Sequence, residues 1–203
     1  MAASSSELET AFKKYIDNGQ GREKLRRLLQ TASADTRYNL IKNLRGLRCT
    51  TWTGLHRGVL ANDLDSIMHM LVGLTPDQRY DVVKIQSRDG RTALHFASAW
   101  SRSSLITSLL SNLSEKQKYN LLKLQNKDGG TALHKAVSQT RVEIVQAILT
   151  SVSSQLLIQL LSIRNKKGQT VTDIKPELQD ELAMLISEGN ALVLCHDLVS
   201  VCD

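Results

Sequence analysis

This 203-residue sequence is short of several things, and each shortage removes a class of answer. Aromatic residues make up 4% of it, too few for a sheet core built on large rings, whereas leucine is abundant and suits close helix stacking. Two prolines leave no room for long Pro-rich linkers, so residues 1–203 read as one domain. The three cysteines (Cys49, Cys195 and Cys202) are odd in number and form no C-x-x-C pair. That argues against a disulfide framework or zinc ribbon and for a reducing compartment. No basic stretch followed by an apolar run opens the chain, and no window approaches 18 uninterrupted apolar residues. The expectation is a cytoplasmic protein with no membrane span, non-classical secretion remaining open.

The motifs of catalysis are missing as well. No G-x-x-x-x-G-K-[ST] or G-x-G-x-x-G loop is present to cradle phosphates, and no G-x-S-x-G elbow to present a nucleophile. His69 and His196 have no Cys or carboxylate at ligand spacing. We therefore expect no enzyme activity, no cofactor and no metal.

Charge is present but lopsided. The net charge is +6, and residues 1–57 hold eleven Lys/Arg against five Asp/Glu, while residues 58–203 hold fifteen of each. The whole excess lies in the first quarter. It reads either as a solvated surface or as a patch for an acidic or nucleic-acid partner.

What the chain has in quantity is repetition. Asp89–Ala97 reads D-G-R-T-A-L-H-F-A, and 39 residues later Asp128–Ala136 reads D-G-G-T-A-L-H-K-A. At the same spacing upstream, Thr53-Gly54-Leu55-His56 keeps the Thr, Leu and His; downstream, Gly168-Gln169-Thr170 keeps the Gly and the Thr. A fixed period of this size implies a solenoid of stacked units. After each motif comes an i, i+3, i+4, i+7 apolar stripe. Ile67, Met70, Leu71 and Leu74 align with Ile106, Leu109, Leu110 and Leu113, and with Val145, Ile148, Leu149 and Val152.

A third apolar set follows, opened by capping boxes at Thr75–Gln78 and Ser114–Gln117. It comprises Tyr80, Val82, Val83 and Ile85, then Tyr119, Leu121, Leu122 and Leu124, then Ile158, Leu160, Leu161 and Ile163, with Tyr38, Leu40 and Ile41 upstream. A loop would not hold apolar register, so the unit reads helix, helix, short helix, turn. Leu8, Phe12 and Tyr15–Ile16, then Leu25, Leu28 and Leu29, place two helices in a polar-faced N-terminal cap over 1–49. Central units span 50–88, 89–127 and 128–166, and a decaying C-terminal cap with a tail spans 167–203. There Pro176 opens a helix whose stripe is Leu182, Leu185 and Ile186, and the apolar segment 189–203 either covers the last unit or docks a partner.

The motif resembles that of the ankyrin repeat, D-x-x-G-x-T-P-L-H-x-A, with Gly54, Ala93 and Ala132 in place of the proline. The family's unit is about 33 residues, a β-turn finger and two antiparallel helices. The resemblance implies an all-α, ankyrin-repeat-like α-solenoid, here with one extra short helix per unit and degenerate terminal caps. It implies that His56, His95 and His134 tie finger to helix start and that Gly90, Gly129 and Gly168 turn the fingers. It also implies a non-enzymatic module that binds another protein through a concave face of finger tips and first helices.

Carried across residue by residue, that face comprises Trp52; Arg88, Asp89 and Arg91; Lys127 and Asp128; and Lys166, Lys167 and Gln169. On the first helices it comprises Leu60 and Ala61, Ala99 and Trp100, and Ser138 and Gln139. Trp52 and Trp100 are the only tryptophans, either binding anchors or buried at unit junctions. Three functions follow: an adaptor acting as a monomer on one protein partner, a microbial or viral effector of host signalling proteins, and nucleic-acid binding by the basic first quarter.

Overall fold

The computed structural model describes residues 5–44, 52–100, 103–175 and 184. Among them are twelve α-helices in four successive triplets. The first is α1 (Ser5–Asn18), α2 (Arg22–Thr31) and α3 (Ala34–Asn43), and the second α4 (Gly54–Leu60), α5 (Leu64–Leu71) and α6 (Pro76–Val83). The third is α7 (Ala93–Trp100), α8 (Ser103–Leu110) and α9 (Glu115–Leu122), and the fourth α10 (Ala132–Ser138), α11 (Val142–Leu149) and α12 (Ser154–Leu161). The described residues contain no strand.

Helices stack in three rows, one from each place in the triplet. First helices pack α1 on α4, α7 and α10 in turn; second helices run α2, α5, α8, α11; third helices run α3, α6, α9, α12. All twelve stripe residues of the three central second helices are buried. No single helix of eight residues could bury its stripe alone, so each borrows cover from the next unit.

The third helices form as their caps dictate. Thr75 and Ser114 each accept from the backbone N–H three residues on, while the Gln78 and Gln117 side chains return a bond to the cap N–H. The same glutamines reach backwards, Gln78 donating to Asp35 at 2.9 Å and Gln117 to Asp77 at 2.8 Å, which knits each third helix to its predecessor. One position departs from the expected register: Ile158 is 68% exposed. Its counterparts Tyr38, Tyr80 and Tyr119 each lie 4.9 Å beneath a lysine ammonium four residues later, Lys42, Lys84 and Lys123. In the last triplet that position is Ser162, so the column is a surface seat whose lysine cover has been lost.

Two buried arginines of the third-row helices α3 and α6 cap the second row. Arg37 donates to the carbonyls of Leu29 (3.0 Å) and Val72 (2.7 Å), and Arg79 to those of Leu71 (3.1 Å) and Ser108 (2.8 Å). Each guanidinium therefore satisfies helix-end carbonyls of two adjacent units at once.

The N-terminal triplet is joined to the next through a buried carboxylate. Asp63, whose side chain is fully shielded, caps α5 by accepting from the Ser66 N–H (3.1 Å). It also accepts from Tyr15 Oη (3.1 Å) and pairs with Arg22 (2.9 Å) and Arg26. Gly54 and Gly58 face the same seam. A Cβ on Gly54 would stand 2.6 Å from Phe12 Cζ, and one on Gly58 2.7 Å from Ile67 and 3.3 Å from Tyr15 Oη. The large rings of α1 explain why this copy of the motif carries glycine where its successors carry alanine. The expected C-terminal stripe (Leu182, Leu185 and Ile186) and the segment 189–203 lie outside the described residues.

Candidate functional site: the concave face

The face that could meet a partner is built from the Thr-x-x-His motif upwards. Thr53 and Thr131 cap α4 and α10, each accepting from the N–H of the histidine three residues on. The histidines bond in return: Nδ1 of His56, His95 and His134 accepts from the N–H of Thr53 (3.2 Å), Thr92 (3.2 Å) and Thr131 (3.3 Å). With Nδ1 held as acceptor, Nε2 carries the proton. It donates to the carbonyl of Arg91 (3.1 Å), Gly130 (3.1 Å) and Gln169 (3.3 Å) respectively. Each of those carbonyls belongs to the following finger, so the histidines link one unit to the next as well as finger to helix. Burial pushes His95 down to about 4, outweighing the Gly130 hydrogen bond that favours the proton, and His134 is lowered by the same cause.

The fingers are tight turns. Gly90, Gly129 and Gly168 sit at φ of 72°, 73° and 76° and donate to the carbonyls of Ser87, Asn126 and Asn165. At Gly129 the requirement is double, since a Cβ would also stand 2.7 Å from the Lys166 backbone nitrogen. Adjacent fingers are bonded to each other: the Lys127 N–H donates to the Asp89 carbonyl, and the Lys166 N–H to that of Asp128, both at 2.9 Å. Finger tips are thereby fixed in a row.

On this frame the expected residues fall into three groups. Trp52 is half-buried, its ring edge-on to Phe96 with centroids 5.4 Å apart; His56 meets Phe96 at 5.7 Å, and the Arg91 guanidinium lies 5.9 Å from the same ring. Trp52 and Arg91 thus belong to an aromatic cluster that also supports the fold. Trp100 stands apart: it is 71% exposed at the C-terminal end of α7, whose preceding seven residues are all buried. The finger residue Arg91 lies at the other end of that helix, about 10 Å away along its axis. Arg88 and Asp89 are exposed on their finger.

The third group gathers around a groove of about 480 Å³ between α10 and the fingers 126–130 and 165–169. Asp128, Ser138, Lys166 and Lys167 all line it; Lys127 and Gln139 are exposed on the elements that bound it. Sequence reasoning missed one of its walls. Lys135, half-buried, occupies the place between the motif His and Ala that holds Phe96 one unit earlier. The signal was present in the L-H-x-A spacing, whose x differs in every copy: Arg57, Phe96, Lys135.

Nothing convergent for chemistry accompanies the groove. Among the described residues no group of three His, Cys, Asp or Glu side chains could hold a metal ion, and no helix is long and apolar enough to cross a membrane. A search of curated proteins finds no match. A family model of ankyrin repeats matches residues 55–157 in three copies, half of the chain, including His56, His95 and His134 and the fingers around Gly90 and Gly129. The match and the geometry agree, and the chain belongs to the ankyrin-repeat family.

Proposed function

We propose that this protein is a non-enzymatic adaptor, a monomer, that recognises one protein partner through the concave face of its fingers and first helices. Ankyrin repeats are in general protein–protein interaction modules. The observation that carries the reading for this chain is Trp100. An indole 71% in water, at the end of a helix otherwise buried, contributes little to the stack. At the equivalent positions the neighbouring units carry Ala61 and Gln139, so the fold does not need a large side chain there. An exposed tryptophan is the type of side chain enriched among interface anchors. The exposed Arg88, Asp89, Lys127, Asp128, Lys166 and Lys167 would add polar contacts from the finger row, at the other end of the first helices.

Part of the charge of the basic first quarter is already engaged within the chain, which favours this reading over nucleic-acid binding. Arg22 and Arg26 are held on Asp63, Lys24 pairs with Glu7 at 2.8 Å, and Arg37 is buried on backbone carbonyls. Affinity capture from an extract tests the proposal. The wild-type chain should retain a partner that Trp100→Ala loses, a weakening of about 2 kcal/mol or more, with melting unchanged. If Trp100→Ala melts like a core deletion, the indole is structural and the reading loses its anchor.

A further inference from the structure

The concave face changes character along its length. In the third triplet the position after the motif histidine is Phe96, only 7% exposed, its ring met by Trp52, His56 and Arg91. One unit on, the same position is Lys135, and the space that aromatic rings fill before it is an open groove of about 480 Å³. Lys166 and Lys167 on the next finger complete three cationic walls, with Lys127 exposed on the finger between. None of these four ammonium groups has an ion-pair or hydrogen-bond partner among the described residues. Among the described residues Asp128 is the one carboxylate that lines the groove, and nearby Asp173 accepts from the Thr170 N–H and hydroxyl, both at 2.8 Å. The groove therefore presents surplus positive charge on a rigid frame, with the finger backbones hydrogen-bonded to each other.

Shape and spacing restrict what such a site can take. Neighbouring units of a helical stack stand about 8–10 Å apart, and a segment in the extended polyproline II conformation advances about 3.1 Å per residue with three residues per turn. Carboxylates at every third residue of such a segment would thus lie on one face and meet lysines of successive units. Single-stranded nucleic acid fits less well. It binds where cations alternate with exposed aromatic platforms, whereas no Phe, Tyr or Trp lines this groove, and the rings of Trp52 and Phe96, a unit away, cover each other.

We propose that the lysine-walled groove between α10 and the fingers 126–130 and 165–169 receives an extended acidic segment of the protein partner, its carboxylates set against Lys135, Lys166 and Lys167. This rests on the concave-face reading and gives the partner a chemistry: an apolar anchor for Trp100, and Asp or Glu residues for the groove. Opposite charge at this site would raise the association rate and fix the segment's direction more than it would add affinity.

Backbone amide titration of the full chain by NMR tests it, with three probes: a dodecapeptide of four Glu-Ser-Ser repeats, its Gln-Ser-Ser counterpart, and an oligothymidylate of equal length. The Glu peptide should shift amides within 126–139 and 164–170, and the Gln peptide should not. The shifts should require about tenfold more Glu peptide in Lys166→Glu/Lys167→Glu, and in wild type when salt is raised to about 0.3 M. Lys166→Gln/Lys167→Gln, which adds no new repulsion, should fall between. Both positions are exposed, and an unchanged amide spectrum elsewhere confirms that each variant is folded. The inference is overturned if the Glu peptide leaves the groove amides unmoved, if its binding is indifferent to the lysine variants, or if the oligonucleotide binds the groove more tightly. Failure here is separable from failure of the adaptor reading. Loss of the captured partner by Trp100→Ala, with no response to the Glu peptide, would sink only the acidic-segment inference. Full capture by Trp100→Ala, with a normal peptide response, would sink the anchor role of Trp100 and leave the groove standing.

Discussion

Acid should loosen this protein before its carboxylates titrate, because of His95. Its ring is 3% exposed, with Nδ1 accepting from the Thr92 N–H and Nε2 donating to the Gly130 carbonyl. A second proton must go to Nδ1, which would break the Thr92 bond and place a charge in the stack. Burial accordingly brings the group from 6.5 to about 4. The unfolded chain binds that proton from about pH 6.5 downward, the folded chain only from about 4, so stability falls with pH across that window. The contribution is complete above the unfolded value and is lost as pH drops through the folded one. At one pH unit per 1.36 kcal/mol, the full loss is about 3 kcal/mol, of which about 2 kcal/mol is gone by pH 5. His134, lowered for the same reason, adds to the loss. Urea titrations by circular dichroism at intervals from pH 7.5 to 4.5, paired with NMR titration of the imidazole C–H signals, would measure both sides. A His95 signal that titrates near 6.5, or a stability that stays flat from pH 7 to 5, would refute the reasoning.

Three further outcomes follow from the packing. Leu110→Ala and Leu149→Ala should each cost about 2–5 kcal/mol in urea titration, and the unfolding should lose cooperativity because units couple mainly to neighbours. Asp63→Ala should cost about 3 kcal/mol by stranding Arg26 and Tyr15, with hydrogen exchange rising first in α1 and α2; uniform exchange across all four triplets would count against the seam. Thr140 holds φ of 54°, a left-handed conformation costly for a β-branched residue, in a turn where the α4–α5 connection uses Asn62. Thr140→Asn should therefore raise stability by about 1 kcal/mol in the same titration, and a loss would contradict the strain.

Local and periodic features were the ones legible in the sequence. The stripe on α5, α8 and α11, the capping boxes of α6 and α9 and the Thr–His pairs all repeat at fixed spacing, and each forms as expected. Features that occur once were not legible. Asp63 has Arg102 and Arg141 at the equivalent positions, and its partner Tyr15 is 48 residues away, so no pattern announces the network. Arg37 and Arg79 look like surface charge on a helix, and only the fold shows them reaching the carbonyls of two units. Ile158 kept the apolar register yet is exposed, because that column owed its cover to a lysine and not to the core. Lys135 escaped notice because the position after the motif histidine varies freely, which is what a binding position and a solvated one have in common.

A three-bait capture tests most directly whether the concave face holds the partner. Wild type, a concave-face variant (Trp100→Ala/Lys166→Glu/Lys167→Glu) and an N-terminal variant (Lys13→Glu/Lys14→Glu/Arg27→Glu) would be exposed to the same extract, each first shown to melt as wild type does. All six positions are outside the buried core. The partner held by wild type should be kept by the N-terminal variant and lost by the concave-face variant. Retention by the concave-face variant, with loss by the N-terminal one, would contradict that role of the concave face.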